Sequence, residues 1–189
     1  MIRIAILGDI GSGKSYVAKN FGFPVFNADV EVEKLYKKDK KIFNKLKRIL
    51  PKYIYSFPIK KNEISKAILA NKLNLKKIVK IVHLEVRKKM NIFLKTNKNK
   101  KVVILDIPLL LENNINKKND ILVFVKSKKA DIFKKLKKRP NYNKKLLSKF
   151  RNIQLSLDYK KKRSQFVINN KFTNKSVRVA VQNILKEIL

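Results

Sequence analysis

The chain has 189 residues, 44% of them hydrophobic, which is enough for one core but too little for two ordinary domains with a linker. It has no cysteine and one histidine, which excludes disulfides and a cysteine nucleophile and disfavours imidazole-based metal sites. No apolar run approaches the roughly 20 residues that span a bilayer, and the apolar N-terminal stretch lacks a signal-peptide cleavage site. We therefore expect one compact cytoplasmic unit, with room for insertions and no membrane partner.

Basic residues dominate the charge: 48 Lys and Arg stand against 13 Asp and Glu, for a net charge of +35. Such a charge would ordinarily suggest nucleic acid. However, Lys outnumbers Arg by 41 to 7, although Arg is the better residue for bidentate phosphate recognition. Lys, Asn and Ile, whose codons are rich in A and T, make up 83 of the 189 residues, and the lysines are spread along the chain. Drift in base composition explains this pattern, so no specific nucleic-acid partner is expected; a functional basic face is the alternative.

The amino terminus carries the first strong motif. Residues 2–7 form an apolar run typical of a buried parallel strand, and residues 8–15 then match G-x-x-x-x-G-K-[ST] at every fixed position. In such a loop, backbone N–H groups and the start of the next helix surround a phosphate. Lys14 would contact the β- and γ-phosphates, and the Ser15 hydroxyl would bind Mg²⁺. Three of the four glycines of the chain fall in this octapeptide, which argues against a chance turn.

Two further predicted strands lead into acidic residues. Residues 24–26 run toward Asp29, and residues 102–105 run into Asp106. Since ligands bind beyond the carboxyl ends of parallel strands, we expect both aspartates at the edge that holds the loop. Asp106 then resembles a Walker B carboxylate for Mg²⁺, and Asp29 can accept the proton of an attacking hydroxyl. The alternative for each aspartate is capping of the helix after its strand.

The remaining elements complete an α/β pattern. Residues 121–125 and 166–168 predict a fourth and a fifth strand, and residues 177–188 have the spacing of an amphipathic helix. Five strands with helical connections predict a doubly wound parallel sheet. Residues 30–101 have helical periodicity and are too long for a loop, which predicts an inserted helical subdomain. Residues 134–163 form a second, highly charged helical stretch.

Over essentially its whole length, the chain resembles the dephospho-coenzyme A kinases, a family of P-loop kinases. The loop matches the family pattern apart from Asp9 and Tyr16. The other matching segments follow in order: the family's Asp-Ala-Asp as Asn27-Ala28-Asp29, a His and an Arg as His83 and Arg87, Asp-Ile-Pro-Leu-Leu-x-Glu as residues 106–112, and Gln154, Lys160 and Asn170 near the end.

The resemblance implies ATP-dependent phosphorylation of the ribose 3′-hydroxyl of dephospho-CoA to give coenzyme A, the last step of its biosynthesis, with Mg²⁺. We expect a monomer, with a weak oligomer as the alternative. It implies a core of about residues 1–29, 102–133 and 164–189, a CoA-binding insertion over 30–101 and a mobile lid over 134–163. The implied catalytic residues are Asp29, Lys14 and Arg139, and the metal ligands are Ser15 and Asp106. The implied nucleotide-binding residues are Gly8, Gly11, Ser12, Gly13, Lys14, Ser15, Tyr16 and Asn170. The implied substrate-binding residues are Asp29, His83, Arg87, Pro108, Leu109 and Glu112.

Some family positions differ here. An arginine four residues before Arg139 is replaced by Lys135, which lacks bidentate geometry. An arginine expected four residues before Gln154 falls on Phe150, with Arg151 displaced by one position. His83 lacks the proline that follows it in the family, and a structural role is its alternative.

Two other functions are compatible with parts of the sequence. A nucleoside monophosphate kinase of the adenylate kinase type would share the core and the lid, but it would need several arginines, and the insertion offers mainly Arg48 and Arg87. A basic nucleic-acid-binding protein with a vestigial nucleotide site is the other. The intact Lys14-Ser15 pair argues against a vestigial nucleotide site, which would be expected to have lost these residues.

Overall fold

The computed structural model describes residues 1–140 and 142–189, and its centre is a five-stranded parallel sheet. The strands are β1 (Ile2–Gly8), β2 (Val25–Asn27), β3 (Val102–Asp106), β4 (Ile121–Lys126) and β5 (Phe166–Asn169). Their order across the sheet is β2-β3-β1-β4-β5, and every pairing is parallel. The predicted doubly wound α/β fold and its five strands are therefore confirmed.

Helices connect the strands. In chain order they are α1 (Lys14–Asn20), α2 (Ala28–Lys38), α3 (Lys40–Ile49), α4 (Lys61–Ala70), α5 (Lys72–Thr96), α6 (Lys129–Lys137), α7 (Lys144–Arg151), α8 (Leu157–Lys162) and α9 (Asn174–Ile188). Across residues 1–140 and 142–189, none of them combines the length and the apolar character needed to cross a membrane.

The core lies between the sheet and two helices. β1 and β3 are buried on both faces and, apart from Arg3 and Asp106, apolar, as expected for the central strands of a parallel sheet. Val17 and Phe21 of α1 and Val177 and Val181 of α9 join a buried cluster with the strand residues Ile4, Ile6, Ile104, Val123 and Ile168. The periodicity that predicted α9 is thus the spacing of its buried face.

Two compact units divide the chain. The first contains the sheet and comprises residues 1–27, 96–142 and 153–189, and the second comprises residues 28–95 and 143–152. The second unit is helical, as predicted for the insertion, and no strand occurs in its residues. It also includes α7, because Lys149 Nζ donates a 3.1 Å hydrogen bond to the Leu69 carbonyl at the end of α4. The charged stretch 134–163 is accordingly divided between the two units.

Polar side chains fix several helix starts and loops. Asp39 accepts a 3.0 Å hydrogen bond from the Ile42 N–H at the start of α3, and Asn143 accepts a 2.9 Å bond from the Leu146 N–H at the start of α7. Glu63 is buried and accepts hydrogen bonds from the loop before α4, where Tyr55 and Ser56 are the donors.

The position of the core gives a first prediction. Val123→Ala removes two methyl groups from a fully buried site in β4, so it should lower the free energy of unfolding by about 2 kcal/mol. The matched control Val167→Ala, on the neighbouring β5, changes a side chain that is 41% exposed and should cost clearly less. Urea denaturation of both variants measures the difference, and equal losses would contradict this location of the core.

Candidate active site

The loop after β1 has a backbone that requires glycine at two points. Gly8 has φ 142°, and a Cβ atom there would lie 2.5 Å from the Val125 carbonyl oxygen of β4. Gly13 has φ 90° immediately before α1, and a Cβ atom there would lie 2.4 Å from Asn170 Nδ2. Side chains at either position would collide with fixed groups, so the glycines permit close packing of the loop against the ends of β4 and β5.

Lys14, the first residue of α1, closes this loop. Its Nζ atom donates hydrogen bonds to the carbonyl oxygens of Gly8 at 3.1 Å and Asp9 at 2.7 Å, and the side chain is buried. The Ser12 N–H donates back to the Asp9 carbonyl at 3.1 Å. The loop backbone therefore surrounds the ammonium group of Lys14. A positive charge inside this loop attracts a phosphate anion.

Asp106 ends β3 beside Asn27, the last residue of β2, and the two residues are partners in the strand register. Asn27 Nδ2 donates a 2.5 Å hydrogen bond to Asp106 Oδ2 and lies 3.4 Å from Ser15 Oγ. The carboxylate of Asp106 and the hydroxyl of Ser15 thus share one neighbouring amide. Both are hard oxygen donors of the kind Mg²⁺ prefers, and Mg²⁺ usually takes only one or two protein ligands. The two side chains therefore fit such a site. Turns, not a helix, follow Asp106, which disfavours the capping alternative.

Three of the predicted residues lie in the helical unit. Asp29 is exposed in the first turn of α2, where an acid also complements the helix dipole. His83 and Arg87 lie one turn apart on one side of α5, the first half-buried and the second exposed. Within this unit, therefore, His83 and Arg87 are neighbours along one helix, and Asp29 lies in the first turn of another.

The segment after β3 holds Pro108, Leu109 and Glu112. The first two are half-buried in turns. Glu112 Oε1 lies 2.6 Å from Nζ of Lys160, which is 1% exposed, and it also accepts a 2.9 Å hydrogen bond from the Leu155 N–H. This carboxylate oxygen is therefore engaged by groups at and before α8, an arrangement that the sequence did not indicate.

Other predicted residues lie in the unit that contains the sheet. Tyr16 is exposed on α1, Asn170 is buried directly after β5, and Arg139 is exposed just after α6. Lys135, at the position of a family arginine, has its ammonium group 5.4 Å from the ring centroid of Phe172.

Two residues at this edge were not among the predicted site residues. Asn27 is one, and Ser127, which donates a 3.0 Å hydrogen bond from its Oγ to the Ser12 carbonyl, is the other. Both follow or end a predicted strand, so the same strand-end rule that singled out Asp106 would have found them.

A glycine-lysine-serine loop leaving the central strand of a parallel sheet, with a carboxylate at the end of the neighbouring strand β3, defines a P-loop nucleotide-binding protein. A model of the dephospho-CoA kinase family matches residues 2–176, and the chain belongs to this family. The family identified from the sequence is therefore confirmed.

Individual relatives agree with this membership. The dephospho-CoA kinase of Wolbachia pipientis wMel is 33% identical over 98% of this chain and 97% of its own. The crystal structure of TT1252 from Thermus thermophilus has a TM-score of 0.76 and 25% identity, covering 100% of this chain and 98% of that one. Dephospho-CoA kinase from Campylobacter jejuni shares the fold, with a TM-score of 0.64 at 19% identity and coverage of 98% and 96%. These comparisons favour neither the adenylate-kinase-type alternative nor the nucleic-acid-binding one.

The Asn27 amide beside Asp106 gives a second prediction. Asn27→Asp would place two carboxylates against each other, so in EDTA it should cost about 1–3 kcal/mol of stability. Added Mg²⁺ should relieve this repulsion and raise the melting temperature of the variant more than that of the unaltered protein.

Thermal unfolding with and without Mg²⁺ makes the measurement. Asn183→Asp is the matched control, because it makes the same charge change at an exposed position of α9 and should show no added response to Mg²⁺. An equal Mg²⁺ response in both variants would contradict a cation site beside Asn27.

Proposed function

We propose that this protein transfers the γ-phosphoryl group of ATP to the ribose 3′-hydroxyl of dephospho-CoA, giving coenzyme A and ADP. The observation that carries the proposal is the phosphate loop that Lys14 closes by hydrogen bonds to loop carbonyls. Residues 106–112 match the family's motif, and the family model covers residues 2–176. A cytoplasmic location belongs to the same proposal.

The reaction makes one bond and breaks another. The oxygen of the 3′-hydroxyl bonds to the γ-phosphorus, and the bond from that phosphorus to the oxygen it shares with the β-phosphate breaks, so ADP leaves with the electron pair. Asp29 accepts the hydroxyl proton as general base. Its place in the chain supports this role, since Asp29 comes two residues after Asn27, the register partner of Asp106.

The positive groups stabilise the charge on the transferring group. Lys14 exchanges its loop carbonyl partners at least in part for phosphate oxygens, and the loop N–H groups donate to the same anions. Arg139, exposed after α6, adds a further positive charge when the nucleotide is bound and helps to exclude water.

Mg²⁺ would be held by the hydroxyl of Ser15 and the carboxylate of Asp106. When bound, it neutralises charge on the β- and γ-phosphate oxygens of ATP. The Asn27 amide supports this assignment, because one Nδ2 atom lies 2.5 Å from Asp106 Oδ2 and 3.4 Å from Ser15 Oγ.

We assign the binding of the acceptor substrate, dephospho-CoA, to residues on α5 and in the segment after β3. Arg87 offers a planar guanidinium for a phosphate of dephospho-CoA, and His83 lies one turn away on the same helix. Pro108 and Leu109 offer partly exposed apolar surface. Glu112 contributes by holding the segment that carries them, through its ion pair with Lys160.

The loop chemistry predicts the effect of removing its cation. Lys14→Ala should lower kcat by roughly 10²- to 10³-fold, because the ammonium group stabilises charge most strongly in the transition state. Lys19→Ala, on the exposed side of the same helix α1, is the matched control and should keep the activity.

Assays with ATP, Mg²⁺ and dephospho-CoA, AMP, UMP or CMP as acceptor test the substrate with the same preparations. Dephospho-CoA should be preferred. A preference for AMP would instead support the adenylate-kinase-type function, and full activity of Lys14→Ala would overturn the site.

Substitutions of the two aspartates should change different kinetic properties. Asp29→Asn removes the proton acceptor, so kcat should fall by about 10²- to 10⁴-fold while ATP affinity barely changes. Asp106→Asn should raise the Mg²⁺ concentration for half-maximal rate. Asp39→Asn is the control in the helical unit, because asparagine caps a helix as well as aspartate does. Titrations of Mg²⁺ and dephospho-CoA separate the effects, and rescue of Asp29→Asn by Mg²⁺ would mean that the two roles are exchanged.

A further inference from the structure

One carbonyl of the phosphate loop receives two side-chain hydrogen bonds. Asn170 Nδ2 lies 2.9 Å from the Ser12 carbonyl oxygen, and Ser127 Oγ lies 3.0 Å from the same atom. Ser12 is fully buried and Asn170 is 2% exposed. A carbonyl oxygen has two lone pairs, so these donors occupy its accepting capacity and fix its direction.

The direction of this carbonyl determines that of the next N–H group. The C=O of Ser12 and the N–H of Gly13 belong to one peptide unit, which is planar and, in its usual trans form, points the two groups in opposite directions. Since the carbonyl points toward Ser127 and Asn170, the Gly13 N–H points away from them. Gly13 also has φ 90°, and its Cα packs so closely on the Asn170 amide that a Cβ atom would lie 2.4 Å from Nδ2.

Asn170 is itself held from both sides. Its backbone N–H donates a 2.8 Å hydrogen bond to the Lys126 carbonyl at the end of β4, and its Oδ1 accepts a 2.8 Å bond from the Phe172 N–H. Phe172 has φ 59°, an uncommon conformation for a bulky residue, which this hydrogen bond stabilises. The amide of Asn170 therefore has little freedom to turn away from the loop.

We propose that Ser127 and Asn170 are positioning residues that orient the Gly13 N–H toward the phosphates of the bound nucleotide. They act through the Ser12 peptide unit and not by touching the nucleotide. The loop then keeps its binding conformation in the free protein, so less reorganisation opposes phosphate binding. This inference rests on the proposal that the loop binds ATP.

The test compares nucleotides with and without phosphates. Ser127→Ala removes one donor and should weaken ATP and ADP binding by about 3- to 10-fold, the equivalent of one neutral hydrogen bond. Ser127→Thr keeps the hydroxyl and should restore the affinity. Asn170→Asp turns the donor into an acceptor but keeps the partner of the Phe172 N–H, so it should weaken ADP binding by at least as much. Binding of adenosine and the KM for dephospho-CoA should stay unchanged in both Ser127 variants.

Isothermal titration calorimetry measures the affinity of each variant for ADP and for adenosine, and thermal unfolding gives its melting temperature. Ser164→Ala is the matched control, since Ser164 Oγ donates a 2.8 Å hydrogen bond to the Lys160 carbonyl, away from the loop. A lower melting temperature with unchanged ADP affinity in Ser127→Ala would overturn the proposal, as would equal losses for ADP and adenosine. Should Asn170→Asp fail to fold, the three Ser127 forms still decide the question.

A wrongly placed nucleotide site and a wrong positioning role would give different results. If Lys14→Ala keeps both ADP affinity and activity, the nucleotide site itself is wrongly placed. If Lys14→Ala loses activity while Ser127→Ala binds ADP normally, only the positioning role is wrong.

Discussion

β1 pairs with β3 on one side and with β4 on the other, and the parallel direction of all three brings their carboxyl ends to one edge. In this register Ala5 lies beside Leu105 and Gly8 beside Val125. The phosphate loop, which starts at Gly8, therefore leaves β1 at the same edge at which β3 ends in Asp106 and β4 leads to Ser127. A slip of one residue would turn every side chain of a strand to the opposite face and would separate these groups.

Charged groups at the other end of β1 resist such a slip. Arg3 Nη2 lies 2.9 Å from Asp120 Oδ2, and both side chains are buried. Burial raises the pKa of the Asp120 carboxyl, and the hydrogen bond from the Lys117 N–H and the nearby Arg3 guanidinium oppose this effect only in part. A buried pair of this kind adds little net stability, but a slipped strand would leave both charges buried without each other. The pair therefore favours one register of β1 against the segment before β4.

The sequence predicted the sheet well because continuous apolar runs leave few alternatives for buried parallel strands. Residues 102–105, for example, lie within β3 as observed, and the Gly-Lys-Ser motif placed the phosphate loop. Long-range polar contacts were not predictable in the same way. The pairing of Glu112 with Lys160 joins distant segments, and nothing in the local pattern of either residue specifies its partner. Likewise, helical periodicity predicted α7 as a helix but not its packing with α4, since periodicity shows that a face is buried and not what covers it.

The order of the two units' segments along the chain also determines when their contacts become possible during synthesis. The sheet-containing unit is assembled from three separate segments, whereas most of the helical unit is one continuous segment. β1 is made first, but its strand partners begin only at Val102 and Ile121. The helices between them can form from local contacts while β1, apolar and unpaired, is already outside the ribosome. Protection of this strand from association with other chains must come from outside the sheet until β3 emerges.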